Sequence, residues 1–324
     1  MSVLVTGAAG FIGARVAASL LDRGEAVIGL DSVNDYYDPA LKQARLDGLA
    51  GKDGWTFVRG DLASEGVLDA LPGGIDRVVH LAAQAGVRYS IEQPLAYAHA
   101  NLTGHTRVLE FARRREVRHL VYASSSSVYG GNTKVPFSED DRTDDPVSFY
   151  GATKKANELL SQSYARLYGL KQTGLRFFTV YGPMGRPDMA YFLFAEAIRA
   201  GRPIRLFNEG RMGRDFTYAG DIADGVLAAL DRPDREGVPH RVYNLGNDRP
   251  QELMTMVDLL ERALGREAVK ELAPMQPGDV VRTWANIDRA REELGYAPKV
   301  TLEEGLGRFA DWYRQWTGWD ARNV

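Results

Sequence analysis

The sequence predicts a doubly wound, mostly parallel α/β sheet followed by a smaller α/β lobe. Three observations lead there. Short β-branched runs alternate with helix-length segments through the first half, a glycine-rich loop separates the first run from the first helix, and from about residue 180 the alternation loosens. Parallel neighbours need crossover helices, and strands covered on both faces read as continuous apolar runs. At 324 residues the chain exceeds what a single core usually holds. The expected division is a first domain over residues 1–180 and a lobe over 181–324, with room for segments of the lobe to return to the first sheet.

Residues 2–6, 26–30, 55–58, 77–81 and 119–123 each read as a short buried strand. Residues 11–23 and 94–115 supply crossover helices, and a further helix is expected to begin near Ser148. Gly182-Pro183 and Gly185-Arg186-Pro187 mark a loop. Beyond it, runs at 204–207 and 241–245 and amphipathic segments at 220–231, 253–264 and 302–316 would build the lobe.

Composition removes several function classes. Forty Lys and Arg against 43 Asp and Glu give a net charge of −3, which argues against nucleic acid as the main partner. The chain has no cysteine, so disulfides, thiolate metal sites, iron–sulfur clusters and a cysteine nucleophile are excluded. The five histidines, His80, His99, His105, His119 and His240, have no metal-ligand spacing, so no metal site is expected. No apolar run reaches the roughly 20 residues of a membrane span. Met1-Ser2-Val3-Leu4-Val5 enters the first strand with neither a basic segment nor a cleavage site, so a cytoplasmic protein is expected. Asn101-Leu102-Thr103 matches a glycosylation acceptor, an accidental match on this reading.

Gly7-Ala8-Ala9-Gly10-Phe11-Ile12-Gly13 follows the first strand and opens a helix. In that context Gly7 permits a tight turn, Gly10 lets the backbone approach a pyrophosphate, and Gly13 lets helix and strand pack closely. Asp31 ends the second strand about 20 residues on, where a carboxylate accepts ribose hydroxyls. It would repel a 2′-phosphate, and Ser32-Val33-Asn34 supplies no arginine to offset it, which favours NAD over NADP. Asp61-Leu62 and Ala82-Ala83-Gln84 follow the next two strands and would line the adenine and the far side of the cofactor.

The fifth strand runs into Ser124-Ser125-Ser126-Ser127, and downstream stands Tyr150-Gly151-Ala152-Thr153-Lys154. Spaced i, i+4 on a helix, Tyr150 and Lys154 share a face, so the ammonium is expected to lower the phenol pKa from about 10 toward neutrality. Such a tyrosinate takes a proton from a secondary alcohol as hydride leaves the same carbon.

The glycine loop, the serine strand end and Tyr150-x-x-x-Lys154 resemble the extended short-chain dehydrogenase/reductase superfamily over essentially the whole chain. The resemblance implies a Rossmann-like first domain that holds NAD, a lobe that binds a nucleotide sugar, and a homodimer built on the helix from Pro94 and the helix of Tyr150. It implies that Ser125 hydrogen-bonds the reacting oxygen, Tyr150 is base and acid, Lys154 binds the nicotinamide ribose, and Ser127 adds a second hydroxyl near C4. Cofactor contacts are implied for Gly7, Gly10, Phe11, Ile12 and Gly13, then for Asp31, Asn34, Asp61 and Leu62. Leu81, Ala82, Ala83 and Gln84 complete that set with Tyr150 and Lys154.

Within the superfamily, 4,6-dehydratases carry Thr-Asp-Glu where this chain has Ser125-Ser126-Ser127, and decarboxylases keep a glutamate at the place of Ser127. With hydroxyls alone, the simplest reaction is oxidation at C4, rotation of the ketone and return of hydride to the opposite face. Asp35-Tyr36-Tyr37-Asp38-Pro39-x-Leu41-Lys42, Gln84 to Ser90, Arg176 to Pro183 and Gly185 to Ala190 are similar to UDP-glucuronate 4-epimerases, with Met184 standing where many members have Trp. Thr179 and Arg186 suit a sugar carboxylate, which a planar guanidinium grips with two charge-assisted bonds. Arg214 and Arg282 match positions that bind the UDP pyrophosphate, Asp279 the uridine ribose and Phe207 the uracil, and Arg88 and Met189 complete the substrate set. The expected function is thus NAD-dependent conversion of UDP-glucuronate to UDP-galacturonate. UDP-glucose/galactose epimerisation and UDP-glucuronate decarboxylation stay open, as do net dehydrogenation and a regulator that binds NAD without turnover, although Tyr150 with Lys154 speaks against the last.

Overall fold

The computed structural model describes residues 1–233, 238–275 and 280–321. Val3, Leu4 and Val5 have no exposed surface, which sets β1 (Ser2–Thr6) at the centre of a sheet. There follow α1 (Phe11–Asp22), β2 (Ala26–Asp31), α2 (Pro39–Asp47), β3 (Trp55–Arg59) and β4 (Ile75–His80). Asp38 caps α2 by accepting from the Ala40 amide at 2.9 Å, with Pro39 in the first turn. Two short helices, α3 (Tyr89–Glu92) and α4 (Pro94–Tyr97), lead through a π-helical turn at Ala98–Thr103 into α5 (Gly104–Arg114). The expected single helix over 94–115 is therefore interrupted. The reason is Asn101, buried in that turn, whose amide donates to the Gln84 carbonyl and Thr153 Oγ1 at 3.0 Å each and accepts from the Gln84 amide at 2.8 Å. A side chain so employed is no glycosylation acceptor.

Next come β5 (His119–Ser125), α6 (Phe149–Tyr168), β6 (Gln172–Phe177) and β7 (Thr179–Tyr181). Ser148 Oγ accepts from the Gly151 amide at 3.0 Å, which caps α6, and left-handed Gly169 ends it. β6 lies outside the expected strands although all six of its residues are buried. Its pattern is hidden by Arg176, which donates to Glu158 from Nε at 2.8 Å and from Nη2 at 2.9 Å. The remainder comprises α7 (Ala190–Arg199), β8 (Ile204–Phe207), β9 (Gly213–Arg214), β10 (Phe216–Tyr218), α8 (Ala219–Leu230), β11 (His240–Leu245), β12 (Gln251–Glu252), α9 (Leu253–Leu264), β13 (Lys270–Ala273), α10 (Asp288–Leu294) and α11 (Leu302–Thr317).

Seven strands pair in parallel in the order β3-β2-β1-β4-β5-β6-β11. The chain reverses direction of growth between β1 and β4, and ligands bind at the strand C-termini beside such a switch point. β11 and α8 come from the second half yet join the first sheet, since Leu20 of α1 and Val226 and Leu230 of α8 share one core cluster with Val3 and Val5. The opposite face is covered by Val108, Leu109 and Phe111 of α5. A third cluster, around Tyr191, Phe192, Leu260, Phe309 and Tyr313, forms the lobe with three two-stranded pairings, β7 with β10, β9 with β12 and β8 with β13. Leu41 of α2 belongs to this lobe cluster, so α2 spans the two parts.

Candidate active site

A cleft of about 650 Å³ runs along the C-terminal ends of the strands from the glycine loop to Arg214. Gly7 has φ +72°, and a Cβ on it would stand 2.7 Å from the Ala82 amide nitrogen. A Cβ on Gly13 would stand 2.0 Å from the Gly7 carbonyl oxygen. Neither position accepts a side chain, so the α1 N-terminus and its amides open directly onto the cleft, the geometry that a pyrophosphate requires. Asp31 at the end of β2 accepts from the Ala9 amide at 3.0 Å and the Val33 amide at 2.8 Å, which ties the glycine loop to the end of β2.

All the residues proposed for the cofactor line this cleft: Gly7, Gly10, Phe11, Ile12, Gly13, Asp31, Asn34, Asp61, Leu62, Leu81, Ala82, Ala83 and Gln84. Ser125, Ser127, Tyr150 and Lys154 line its middle, and Thr179, Arg186, Met189 and Arg214 its far end. Arg88, Phe207 and Arg282 stand outside the lining. The Arg88 guanidinium lies over the Phe207 ring at 4.9 Å, and Arg282 contacts Glu252 and bridges to Gly213 beside Arg214. Asp279 lies outside the described residues.

The serine turn and the Tyr150–Lys154 pair are held from several sides. Ser127 N donates to Ser125 Oγ at 3.1 Å, and the two hydroxyls lie 3.2 Å apart. A Cβ on Gly151 would be 2.6 Å from the Ser127 carbonyl, so the glycine after Tyr150 lets α6 sit against the serine turn. The Tyr150 amide donates to Ser90 Oγ at 3.2 Å, and the Tyr150 ring meets Tyr97 edge-on at 6.0 Å. Lys154 Nζ donates to the Ala123 carbonyl at 2.9 Å, and Ser124 donates to Glu158 at 2.7 Å, so β5 and α6 are joined at the two residues immediately before Ser125.

The electrostatics differ from the sequence expectation. Burial raises the Tyr150 phenol, and the groups opposing it are the Arg186 charge and a hydrogen bond with Ser125. Lys154 is not the group that lowers it. Its ammonium stands 6.0 Å from the ring centroid, and its own pKa is pushed down to about 8 by burial. Arg186 donates to Asp188 from Nε at 3.0 Å and from Nη2 at 2.5 Å, and Tyr36 Oη donates to the same carboxylate at 3.1 Å. Burial pushes Asp188 up, but Arg186 prevails and holds it below the usual carboxylate range.

Sequence reasoning gave no role to His99, Tyr36 or Lys42, all of which line the cleft. His99 Nε2 lies 2.7 Å from Asp61 Oδ2, and Lys42 donates to the Asn34 carbonyl at 2.7 Å. A lysine and an arginine one turn apart beside Leu41 and Leu46 on α2 were the available signal, since both Lys42 and Arg45 are buried.

Residues 3–246 match the NAD dependent epimerase/dehydratase family. The chain belongs to that family. NAD is its cofactor, in keeping with the glycine cradle and with Asp31 at the end of β2. Among relatives of this NAD-dependent epimerase/dehydratase, the probable UDP-glucuronate 4-epimerase of Rhizobium meliloti is 46% identical over 332 residues, covering 97% of each chain. UDP-glucuronate 4-epimerase 3 of Arabidopsis thaliana is 49% identical over 328 residues, covering 96% of this chain and 76% of that one. The crystal structure of UDP-glucuronic acid 4-epimerase from Bacillus cereus, in complex with UDP-glucuronic acid and NAD, superposes with a TM-score of 0.91 at 33% identity, covering 98% of this chain and 100% of that one.

Proposed function

We propose that this family member interconverts UDP-glucuronate and UDP-galacturonate by epimerisation at C4 through a transient 4-keto sugar. One observation carries the choice of chemistry. Among the described residues that line the cleft, the carboxylates are Asp31 and Asp61 at the cofactor end, whereas the sugar end offers the hydroxyls of Ser125, Ser127 and Thr179 with the Arg186 guanidinium. Elimination of water needs an acid and a base beside C5 and C6, and that end has hydroxyls instead.

NAD, when bound, would supply reversible hydride-transfer chemistry beside C4. The chain's own work is proton transfer and anchoring. Tyr150 Oη takes the proton of the C4 hydroxyl and gives it back after the ketone has turned, with Ser125 donating to the reacting oxygen and Ser127 beside it. Lys154 would hold the nicotinamide ribose, and the glycine loop with Asp31 the rest of the dinucleotide. Thr179 and Arg186 would grip the sugar carboxylate. The 4-keto acid is a β-keto acid that loses carbon dioxide when its carboxylate is left in an apolar site, so a charged grip suppresses that loss. Rotation of the ketone requires a fixed UDP, a task assigned to Phe207, Arg214 and Arg282.

The exposed Leu95, Leu159 and Leu167, on α4 and α6, further support a homodimer through these helices. Light scattering on a chromatographic peak should give twice the 35.8 kDa chain mass. The function is tested by incubating purified protein with UDP-glucuronate and catalytic NAD, with UDP-glucose in parallel, and resolving products by chromatography and proton NMR. UDP-galacturonate without net NADH is expected. A UDP-pentose as the main product would overturn the reading, and turnover of UDP-glucose alone would move the chain to the neutral-sugar epimerases.

A further inference from the structure

Arg45 is 3% exposed, and no carboxylate pairs with it among the described residues. A buried guanidinium needs its donors satisfied, since each one left unpaired away from water is strongly unfavourable. Arg45 satisfies them on the carbonyls of two separate loops and one phenol. Nη1 donates to the Ala9 carbonyl at 2.9 Å and to Tyr37 Oη at 2.6 Å. Nε and Nη2 donate to the Met184 carbonyl at 3.1 and 2.7 Å, and Nη2 also to the Gly185 carbonyl at 3.2 Å.

Ala9 belongs to the glycine loop, and Met184 and Gly185 immediately precede Arg186. Met184 has φ +58°, a left-handed conformation that a non-glycine residue keeps only when its surroundings hold it. Two donors on its carbonyl do so. A second tie runs in parallel from the same segment, because Tyr36 Oη donates to Asp188, which in turn fixes Arg186 from the Nε side.

We propose that Arg45 is a positioning residue that locks the Met184–Gly185 turn to the glycine loop and thereby sets Arg186 for a sugar carboxylate. The inference rests on the reading of Arg186 given above. If the two loops separate, a buried cation loses its acceptors, so the carboxylate grip and the dinucleotide cradle move as one body. A lysine keeps the charge but presents three donors from one point, which cannot reach acceptors spread along a planar fork.

The test uses NAD-loaded protein and compares the Kd of UDP-glucuronate with that of UDP-glucose by calorimetry, in the parent, R45K, R45M, R186A and R45M/R186A. In R45M, binding of UDP-glucuronate should weaken by roughly 10-fold and that of UDP-glucose by less than about 3-fold, within the usual range of coupling between sites. R45K should lose most of the same selectivity, and it decides the question if R45M does not fold. In the R186A background, R45M should remove no further selectivity, because the two residues act in series. Equal weakening of both ligands, full rescue by R45K, or additive losses in the double variant would each overturn the role of Arg45. An R186A protein that keeps the parent's preference for UDP-glucuronate would instead refute the carboxylate reading itself, and the role of Arg45 with it.

Discussion

Replacing Lys154 by Met should raise the stability of the protein while removing its activity. Lys154 is 3% exposed, and burial lowers its pKa from 10.5 to about 8. That gap corresponds to about 3 kcal/mol by which the native state disfavours the ammonium relative to the unfolded chain. Between about pH 8 and pH 10.5 the unfolded chain binds the proton more tightly, so the penalty is complete below pH 8 and relieved as pH rises through that window. Met has a stem of similar length and no charge to desolvate. Against this gain stands the lost bond from Nζ to the Ala123 carbonyl, worth about 1 kcal/mol. Net stabilisation near pH 7 should be about 1–2 kcal/mol, a rise in Tm of a few degrees for a protein of this size. The assay is urea unfolding of cofactor-free parent and variant between pH 7 and pH 10, followed by circular dichroism. The excess stability of the variant should shrink as pH rises past about 8. A variant less stable than the parent at pH 7, with a difference that stays constant to pH 10, would refute the reasoning.

Tyr150→Phe should lower kcat by roughly 10³-fold, the scale of a lost general acid–base group, and leave the Kd of the UDP-sugar within a few-fold by calorimetry. Glu158→Gln strips the partner from Arg176, a buried cation, and should lower stability by about 3–5 kcal/mol in urea unfolding; a loss under 1 kcal/mol would mean that Tyr129 and the Glu139 carbonyl suffice to hold Arg176. Gly7→Ala places a methyl 2.7 Å from the Ala82 amide at φ +72°, so NAD binding by fluorescence titration should weaken at least 10-fold while the circular dichroism spectrum is kept.

The parallel, doubly wound class of the sheet and the glycine loop were legible because backbone demands leave residue-level marks. Gly7 and Gly13 are glycines for contacts that the structure displays, and Asp31 stands where β2 ends. β6 was hidden because its buried face carries Arg176, whose neutralising partner Glu158 is 18 residues earlier on α6. A sequence window sees a charge and cannot see the carboxylate that cancels it. The same limit applies to Arg45, which looks like a solvated helix residue and is buried on the carbonyls of residues 36 and 139 positions away. The Tyr150 environment was misjudged for a related reason. Spacing brings Lys154 near the phenol, but burial of both groups and the charge of Arg186 depend on the folded cleft. A strand at 241–245 and a return of lobe segments were both expected, but that β11 is the returning strand is a matter of long-range pairing with the edge that β6 offers.

The most direct test of the account is conversion of UDP-glucuronate carrying deuterium at C4, with the product analysed by NMR and mass spectrometry. Epimerisation through a 4-keto sugar held in one closed cleft predicts UDP-galacturonate that retains the deuterium at C4, with no accumulation of NADH. Product with solvent hydrogen at C4, or a product that has lost the carboxylate, would contradict it.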